Sequence, residues 1–209
     1  NIATANFRLG TFLSDPSIGG ISFDGKVNGT SFKWNKINAE IKGQVKQVDY
    51  NNYNYKNITV DGSLDKQMFL GTGSINDVNA VATLIGKIDL REKKPVFNAT
   101  ADVSKLNLKA LKLSKDNLSF KGKFNLDFEG GNIDNFLGSA KITEATLQKD
   151  SVPLSFKNLT LTSTKQNGVK VLTAESDEFN GNITGDFSVK DMPAAISFLL
   201  NNCCIVLSA

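Results

Sequence analysis

Residues 118–128 read LSFKGKFNLDF, in which an apolar residue or a glycine alternates with a polar residue at every position. Successive side chains of a β-strand point to opposite faces. The stretch therefore predicts a strand with Phe120, Phe124 and Phe128 on one face and with lysine, asparagine and aspartate side chains on the other.

The same alternation recurs along the chain, with glycine or alanine in the middle of most units. Eight further predicted strands begin at Ile21, Ile41, Ile58, Phe69, Leu84, Phe97, Phe136 and Phe179. Residues that favour turns separate many of them, at Asn28-Gly29, Asp65-Lys66, Gly130-Gly131-Asn132 and Gln166-Asn167-Gly168. Short turns join consecutive strands as hairpins, so the chain is predicted to form an antiparallel meander of at least nine strands.

Helical signals are few, namely a short turn near Lys105 to Leu113 and a segment from Asp191 to Leu200. Neither is large enough to cover such a sheet. A sheet with one apolar face must bury it against a second layer, against itself by curling, or against a ligand. A β-sandwich or a closed barrel would seal the face, with mid-strand glycines at bends and bulges, whereas an elongated, U-folded sheet would leave the face open as a trough for acyl chains.

The fold expected here is the second one: an all-β, elongated antiparallel meander curled into a groove with an apolar inner face and few short helices. Residues 1–200 are interpreted as one groove segment of a longer protein, because the chain begins at Asn1 without a signal peptide. The predicted lining comprises the large apolar residues of the alternating units: Ile21, Phe23, Val27, Ile41, Val45, Ile58, Val60, Leu64, Phe69, Ile75, Leu84, Ile88, Phe97, Val103, Phe120, Phe124, Phe136, Ile142, Ile183 and Phe187.

Composition argues against catalysis. The chain contains no histidine, which excludes Ser-His and Cys-His nucleophile pairs and His-ligated metals. Its two cysteines, Cys203 and Cys204, are adjacent and predict neither a disulfide nor a metal site. Two carboxylate pairs, Asp61 with Asp65 and Glu175 with Asp177, fall on polar faces or in turns, where solvated side chains are expected. We therefore predict no enzyme activity, no cofactor and no metal.

Charge predicts no nucleic-acid partner. The formal net charge is +3, from 24 basic and 21 acidic residues spread along the chain without a block of one sign. No apolar run approaches the roughly 18 residues of a transmembrane helix.

Several stretches resemble the C-terminal region of the TamB (translocation and assembly module) family, which is related to AsmA-like and chorein-type lipid-transfer proteins. They are Leu9-Gly10-Thr11-Phe12-Leu13 with Asp15-Pro16; Tyr50, Tyr53 and Tyr55 leading into Asn57-Ile58-Thr59-Val60-Asp61-Gly62; Gly73 to Ala80; Gly86 to Leu90; and Phe179 to Phe187. The resemblance covers about residues 1–200. Two features depart from the family: Val78 stands where proline is expected, and residues 201–209 form an atypical tail, for which an artefactual origin is one interpretation.

The resemblance implies a periplasmic protein, anchored in the inner membrane of a two-membrane bacterium, with a β-taco groove that conducts phospholipids toward the outer membrane. It also implies an outer-membrane Omp85-type barrel as partner and a role in outer-membrane protein biogenesis. Two alternatives stay open: a structural or adhesin-like β module with a sealed apolar core, and a chaperone-like module that binds outer-membrane β-strands at a sheet edge. An isolated trough would expose a large apolar surface, so self-association is also expected.

Overall fold

A computed structural model describes residues 1–31, 36–131, 134–177 and 179–188, whose thirteen strands form one antiparallel sheet. The strands are β1 Ile2–Ala3, β2 Phe7–Arg8, β3 Ile18–Gly29, β4 Asn38–Tyr50, β5 Tyr53–Asp65, β6 Met68–Asn76, β7 Ala80–Asp89, β8 Val96–Asn107, β9 Leu118–Glu129, β10 Leu137–Lys149, β11 Val152–Gln166, β12 Val169–Ser176 and β13 Asn180–Thr184. A five-residue helix, α1 (Leu9–Leu13), lies between β2 and β3. The predicted all-β meander is confirmed.

Each strand from β3 to β12 pairs with the strand that follows it in the chain, so from β3 onward the order in the sheet is the order in the sequence. The two short strands β1 and β2 both pair with β3 and together form the first edge. The sheet does not close into a barrel. No helix in the described part of the chain is long and apolar enough to cross a membrane.

Two tight turns have the left-handed backbone that two-residue hairpin loops require. Asn167 and Gly168, which the sequence predicts as a turn, have φ of 52° and 82° and join β11 to β12. Asn51 and Asn52, with φ of 47° and 62°, join β4 to β5 in the same way. Asparagine tolerates this region better than other non-glycine residues, so the second turn also has a local sequence cause.

Register shifts interrupt neighbouring strand pairs at one level of the sheet. Val103 of β8 pairs with Ala82 of β7 and with Gly122 of β9, and the register shifts immediately beyond it on both sides. The β9–β10 pair shifts next to Gly122, between Thr143 and Thr146. Bulges bend strands and increase their local twist. A row of them across adjacent strands accounts for the curl of the sheet.

The prediction from the sequence was wrong for several elements. It missed α1, the edge strands β1 and β2, and the long strands β11 and β12. It placed Phe136 and Phe187 in strands, whereas Phe136 precedes β10 and Phe187 follows β13. The predicted helical region near Lys105 to Leu113 contains the end of β8 and then a hydrogen-bonded turn over 108–112. The predicted segment Asp191 to Leu200 and the two cysteines lie outside the described residues.

Candidate apolar groove

The strand register places the predicted lining residues on one face, because directly opposed residues of neighbouring strands project to the same side of a sheet. One row of successive partners runs Gly43, Val60, Gly73, Leu84, Ala101, Phe124, Ile142 and Leu159. Eighteen of the twenty predicted lining residues lie in strands and project to this side. We call it the inner face.

The inner face is only partly covered. Of the twenty predicted lining residues, Val45, Val103 and Phe136 are buried, at 8%, 9% and 4% exposure. The other seventeen are half-buried. A β-sandwich buries such residues between its two sheets. Within the described ranges the molecule has one sheet and no second layer, so the face forms an open groove.

A row of small residues spans four neighbouring strands of the inner face, β5 to β8. Gly62 pairs with Gly71, Gly71 with Gly86, and Gly86 with Ala99. A methyl group on Gly71 would lie 2.4 Å from the carbonyl oxygen of Asp61, and one on Gly86 only 2.3 Å from that of Asn98. These glycines are therefore required by the close approach of neighbouring backbones.

Large side chains flank this row on both sides. Leu64, Phe69, Ile88 and Phe97 form consecutive cross-strand pairs on one side, while Val60 and Leu84 lie two residues away on the other. The small residues thus form the floor of a furrow that runs across the strands. Neighbouring backbone lies close to Gly62, Gly71 and Gly86, so little free space remains beside them.

Phenylalanine rings pack over several glycines. A methyl group on either Gly25 or Gly43 would lie 2.7 Å from Cζ of Phe23, and one on Gly122 would lie 3.0 Å from Cζ of Phe120. The rings thus cover backbone that glycine leaves bare. This explains why phenylalanine and glycine occur two residues apart in the same strand.

An apolar pocket of about 250 Å³ lies in the groove near the start of β8 and the end of β9. The ring centroids of Phe97 and Phe128 are 4.9 Å apart, and those of Phe128 and Phe136 are 5.5 Å apart in an edge-to-face arrangement. Ala140 and Leu161 complete the apolar wall. Phe136 therefore contributes to the groove although it lies outside the strands. Phe187 lies farther along the same margin, where Nζ of Lys170 is 4.9 Å from its ring centroid.

The opposite margin of the groove is held by a buried carboxylate. Asp77, at 5% exposure, accepts hydrogen bonds from the Tyr53 hydroxyl, from the backbone N–H of Lys56 at 3.1 Å and from that of Asn79 at 2.9 Å. Burial raises the pKa of Tyr53, and the hydrogen bond to Asp77 adds to the effect. Here Tyr53 fastens the start of β5 to the β6–β7 turn.

The connection between β8 and β9 closes over part of this margin. Leu111 is fully buried, and its carbonyl oxygen accepts a hydrogen bond from the Tyr55 hydroxyl at 3.4 Å. The backbone N–H of Asn107 donates to the carbonyl of Asn79 at 2.9 Å. Burial also raises the pKa of Tyr55. A contact between residues 56 positions apart in the sequence could not be read from local pattern.

The outer face carries the predicted polar residues in ion pairs. Asp61 lies 2.5 Å from Nζ of Lys42, and Asp65 lies 3.2 Å from a guanidinium nitrogen of Arg91. Asp177 accepts a hydrogen bond from the Asn158 amide. Over the part of the chain that the structure describes, no group of three or more acidic side chains or cysteines is placed to hold a metal ion.

The chain matches no protein-family model, no curated protein and no solved structure. The resemblance to the TamB family therefore stays a prediction from the sequence. The feature that bears on function is the groove, a curled, one-sided sheet with a half-buried apolar face, small residues along four strands and aromatic side chains beside them.

Proposed function

We propose that the inner face binds the acyl chains of lipids and serves as a non-enzymatic track for phospholipid movement. The observation that carries this proposal is the partial burial of the inner face, because seventeen large apolar side chains are half-buried and none of the described residues forms a layer above them. An apolar surface of this kind is stabilised by an apolar ligand.

Burial of an acyl chain in the groove supplies enough free energy for binding. Burial of one methylene group contributes about 0.8 kcal/mol, so a chain of about 16 carbons contributes roughly 12 kcal/mol before ordering costs. Hydrophobic burial is non-directional and changes little as a chain moves along a uniform surface. The furrow runs across the strands. An acyl chain that lies in it would therefore meet apolar surface on one strand after another and could slide along it.

The cellular setting follows from the resemblance alone. We propose that the segment acts in the periplasm of a two-membrane bacterium, as part of a protein anchored in the inner membrane that works with an Omp85-type barrel. In that setting the groove would carry phospholipids between the inner and outer membranes and support outer-membrane protein biogenesis.

A second function, binding of outer-membrane β-strands at a sheet edge, is favoured by β13. No strand among the described residues pairs with its outer side. An exposed edge offers unpaired backbone groups to an incoming strand. A bound peptide would distinguish this function from lipid binding. The third alternative, a sealed structural module, is disfavoured by the partial burial of the inner face.

The test is native mass spectrometry of the chain purified from bacterial membranes, followed by lipid extraction. We expect phospholipid to co-purify at about one molecule or more per chain. A folded chain free of lipid would contradict the proposal, and a co-purifying peptide without lipid would support strand binding instead.

A further inference from the structure

A second surface lies at one end of the groove, where two neighbouring connections meet beyond the ends of the strands. They are the β8–β9 connection (residues 108–117) and the β10–β11 turn (residues 150–151). The backbone N–H of Asp150 donates to the carbonyl of Asn117 at 2.9 Å, and Nζ of Lys149 lies 3.6 Å from the Asp116 carboxylate. The two connections therefore form one continuous surface. We call this surface, together with Lys105 near the end of β8, Lys149 at the end of β10 and residues 152–154 at the start of β11, the basic patch.

The patch is built on an ordered scaffold. Buried Leu111 anchors the β8–β9 connection. Backbone hydrogen bonds from Leu111 to Asn107, from Lys112 to Lys109 and from Leu113 to Leu108 fix its turns. The remaining side chains of the connection are thus displayed from a fixed backbone.

The patch is strongly cationic. Residues 105–115 contain four lysines and no acidic residue: Lys105, Lys109, Lys112 and Lys115. All four are exposed, and none takes part in an ion pair with a described residue. With Lys149 the patch carries five lysines against the two aspartates Asp116 and Asp150. Its net of three positive charges equals the formal net charge of the whole chain.

Exposed aliphatic side chains adjoin some of these lysines: Leu113 follows Lys112 in the chain, and Val152 pairs with Lys149 across the β10–β11 turn. Leu113 is 49% exposed, Val152 72% and Leu154 53%. A single exposed leucine needs no explanation, but three exposed aliphatic side chains beside these lysines form an amphipathic surface. Val152 and Leu154 are the first and third residues of β11, and the register aligns them with Leu118 and Phe120 of the inner face, so this surface adjoins the end of the groove. Aliphatic side chains enter the headgroup region of a bilayer, and lysines are attracted to anionic lipids. Single-stranded nucleic acid is usually held by aromatic residues as well, and the patch has none.

We propose that the basic patch docks on the surface of an anionic phospholipid bilayer. Leu113, Val152 and Leu154 enter the interface, while Lys109, Lys112 and Lys115 contact lipid phosphates. The proposal does not depend on lipid transport by the groove. If both hold, the patch brings one margin of the groove next to the headgroups.

The test is flotation of the chain with two kinds of vesicle, phosphatidylcholine alone and phosphatidylcholine with about one third phosphatidylglycerol. We expect binding to the anionic vesicles that weakens as salt is raised. Each lysine near an anionic surface contributes about a fivefold factor in affinity, so the combined substitution Lys109→Gln, Lys112→Gln and Lys115→Gln is expected to weaken binding roughly hundredfold.

The matched control removes the same charge elsewhere, through Lys26→Gln, Lys66→Gln and Lys93→Gln. These lysines are exposed and remote in sequence, and both sets contain one residue with positive φ, Lys112 or Lys66. The control is expected to bind like the parent. Equal loss in both triple variants, equal binding to neutral and anionic vesicles, or no binding by the folded parent would each overturn the proposal. Binding of duplex DNA as tightly as anionic vesicles would assign the patch to polyanions in general and would also overturn it.

Discussion

Replacement of Phe124 by aspartate is expected to weaken acyl-chain binding roughly hundredfold while the sheet stays folded. Phe124 lies in the middle of the inner face, between Ala101 and Ile142, and its ring centroid is 4.9 Å from that of Phe120. A carboxylate against hydrocarbon costs about 2.5–3.5 kcal/mol. Because Phe124 is half-buried, the carboxylate can reach water in the empty groove, and the loss should fall mainly on binding.

The measurement is titration of a fluorescent fatty-acid analogue, with circular dichroism as the check on folding. The matched control is Asn125→Asp, which adds the same charge on the same strand but on the exposed outer face. Affinity is expected to fall for Phe124→Asp and to stay within about twofold of the parent for the control. Should Phe124→Asp fail to fold, Ile142→Asp on the neighbouring strand replaces it. Folded inner-face variants that bind as tightly as the parent would contradict the groove as the binding site.

The second large effect concerns two glycines of β6 that lie two residues apart. Gly71→Ala is expected to lower the free energy of unfolding by about 2–3 kcal/mol, because the new methyl would lie 2.4 Å from the Asp61 carbonyl oxygen and 2.5 Å from Cα of Gly62. Both atoms belong to backbone and cannot move aside without distorting the sheet.

Gly73→Ala is the matched control, with an effect of opposite sign. The nearest atom to its new methyl would be the Thr59 carbonyl oxygen at 3.9 Å, an ordinary van der Waals contact. The substitution is expected to raise the free energy of unfolding by about 0.5–1 kcal/mol, since it restricts the unfolded chain without strain. Thermal unfolding of both variants beside the parent tests the pair. Equal melting temperatures for the two variants would mean that the furrow floor is not closely packed.

The sequence predicts the fold class well because its main signal is local. Period-two alternation needs only neighbouring residues, and it identified strands such as β9, where every second residue from Leu118 to Phe128 is apolar or glycine. It failed in β11, where the inner-face residues Phe156 and Leu159 are three apart. The register pairs Phe156 with Ala145 and Leu159 with Ile142, so both face inward across an irregularity that alternation cannot anticipate.

The candidate site was predictable in its lining and less so in its shape. Which residues face inward follows from alternation, as for Val60, Leu84 and Phe124. The alignment of Gly62, Gly71 and Gly86 into one row depends on the pairing register, which the sequence does not state. The hydrogen bond from the Tyr55 hydroxyl to the Leu111 carbonyl joins segments that are distant in the sequence, so no local sequence pattern predicts it.

The central claim is that the inner face is open to acyl chains. It is tested most directly by photo-crosslinking in bacterial cells, where the protein can meet phospholipid. A benzophenone amino acid would be placed on the inner face at Phe69, Phe97 or Phe124 and on the outer face at the adjacent Leu70, Asn98 or Asn125. The account predicts lipid adducts from the three inner positions and none from the three outer ones. Adducts from both faces alike, or from neither in a folded protein, would contradict it.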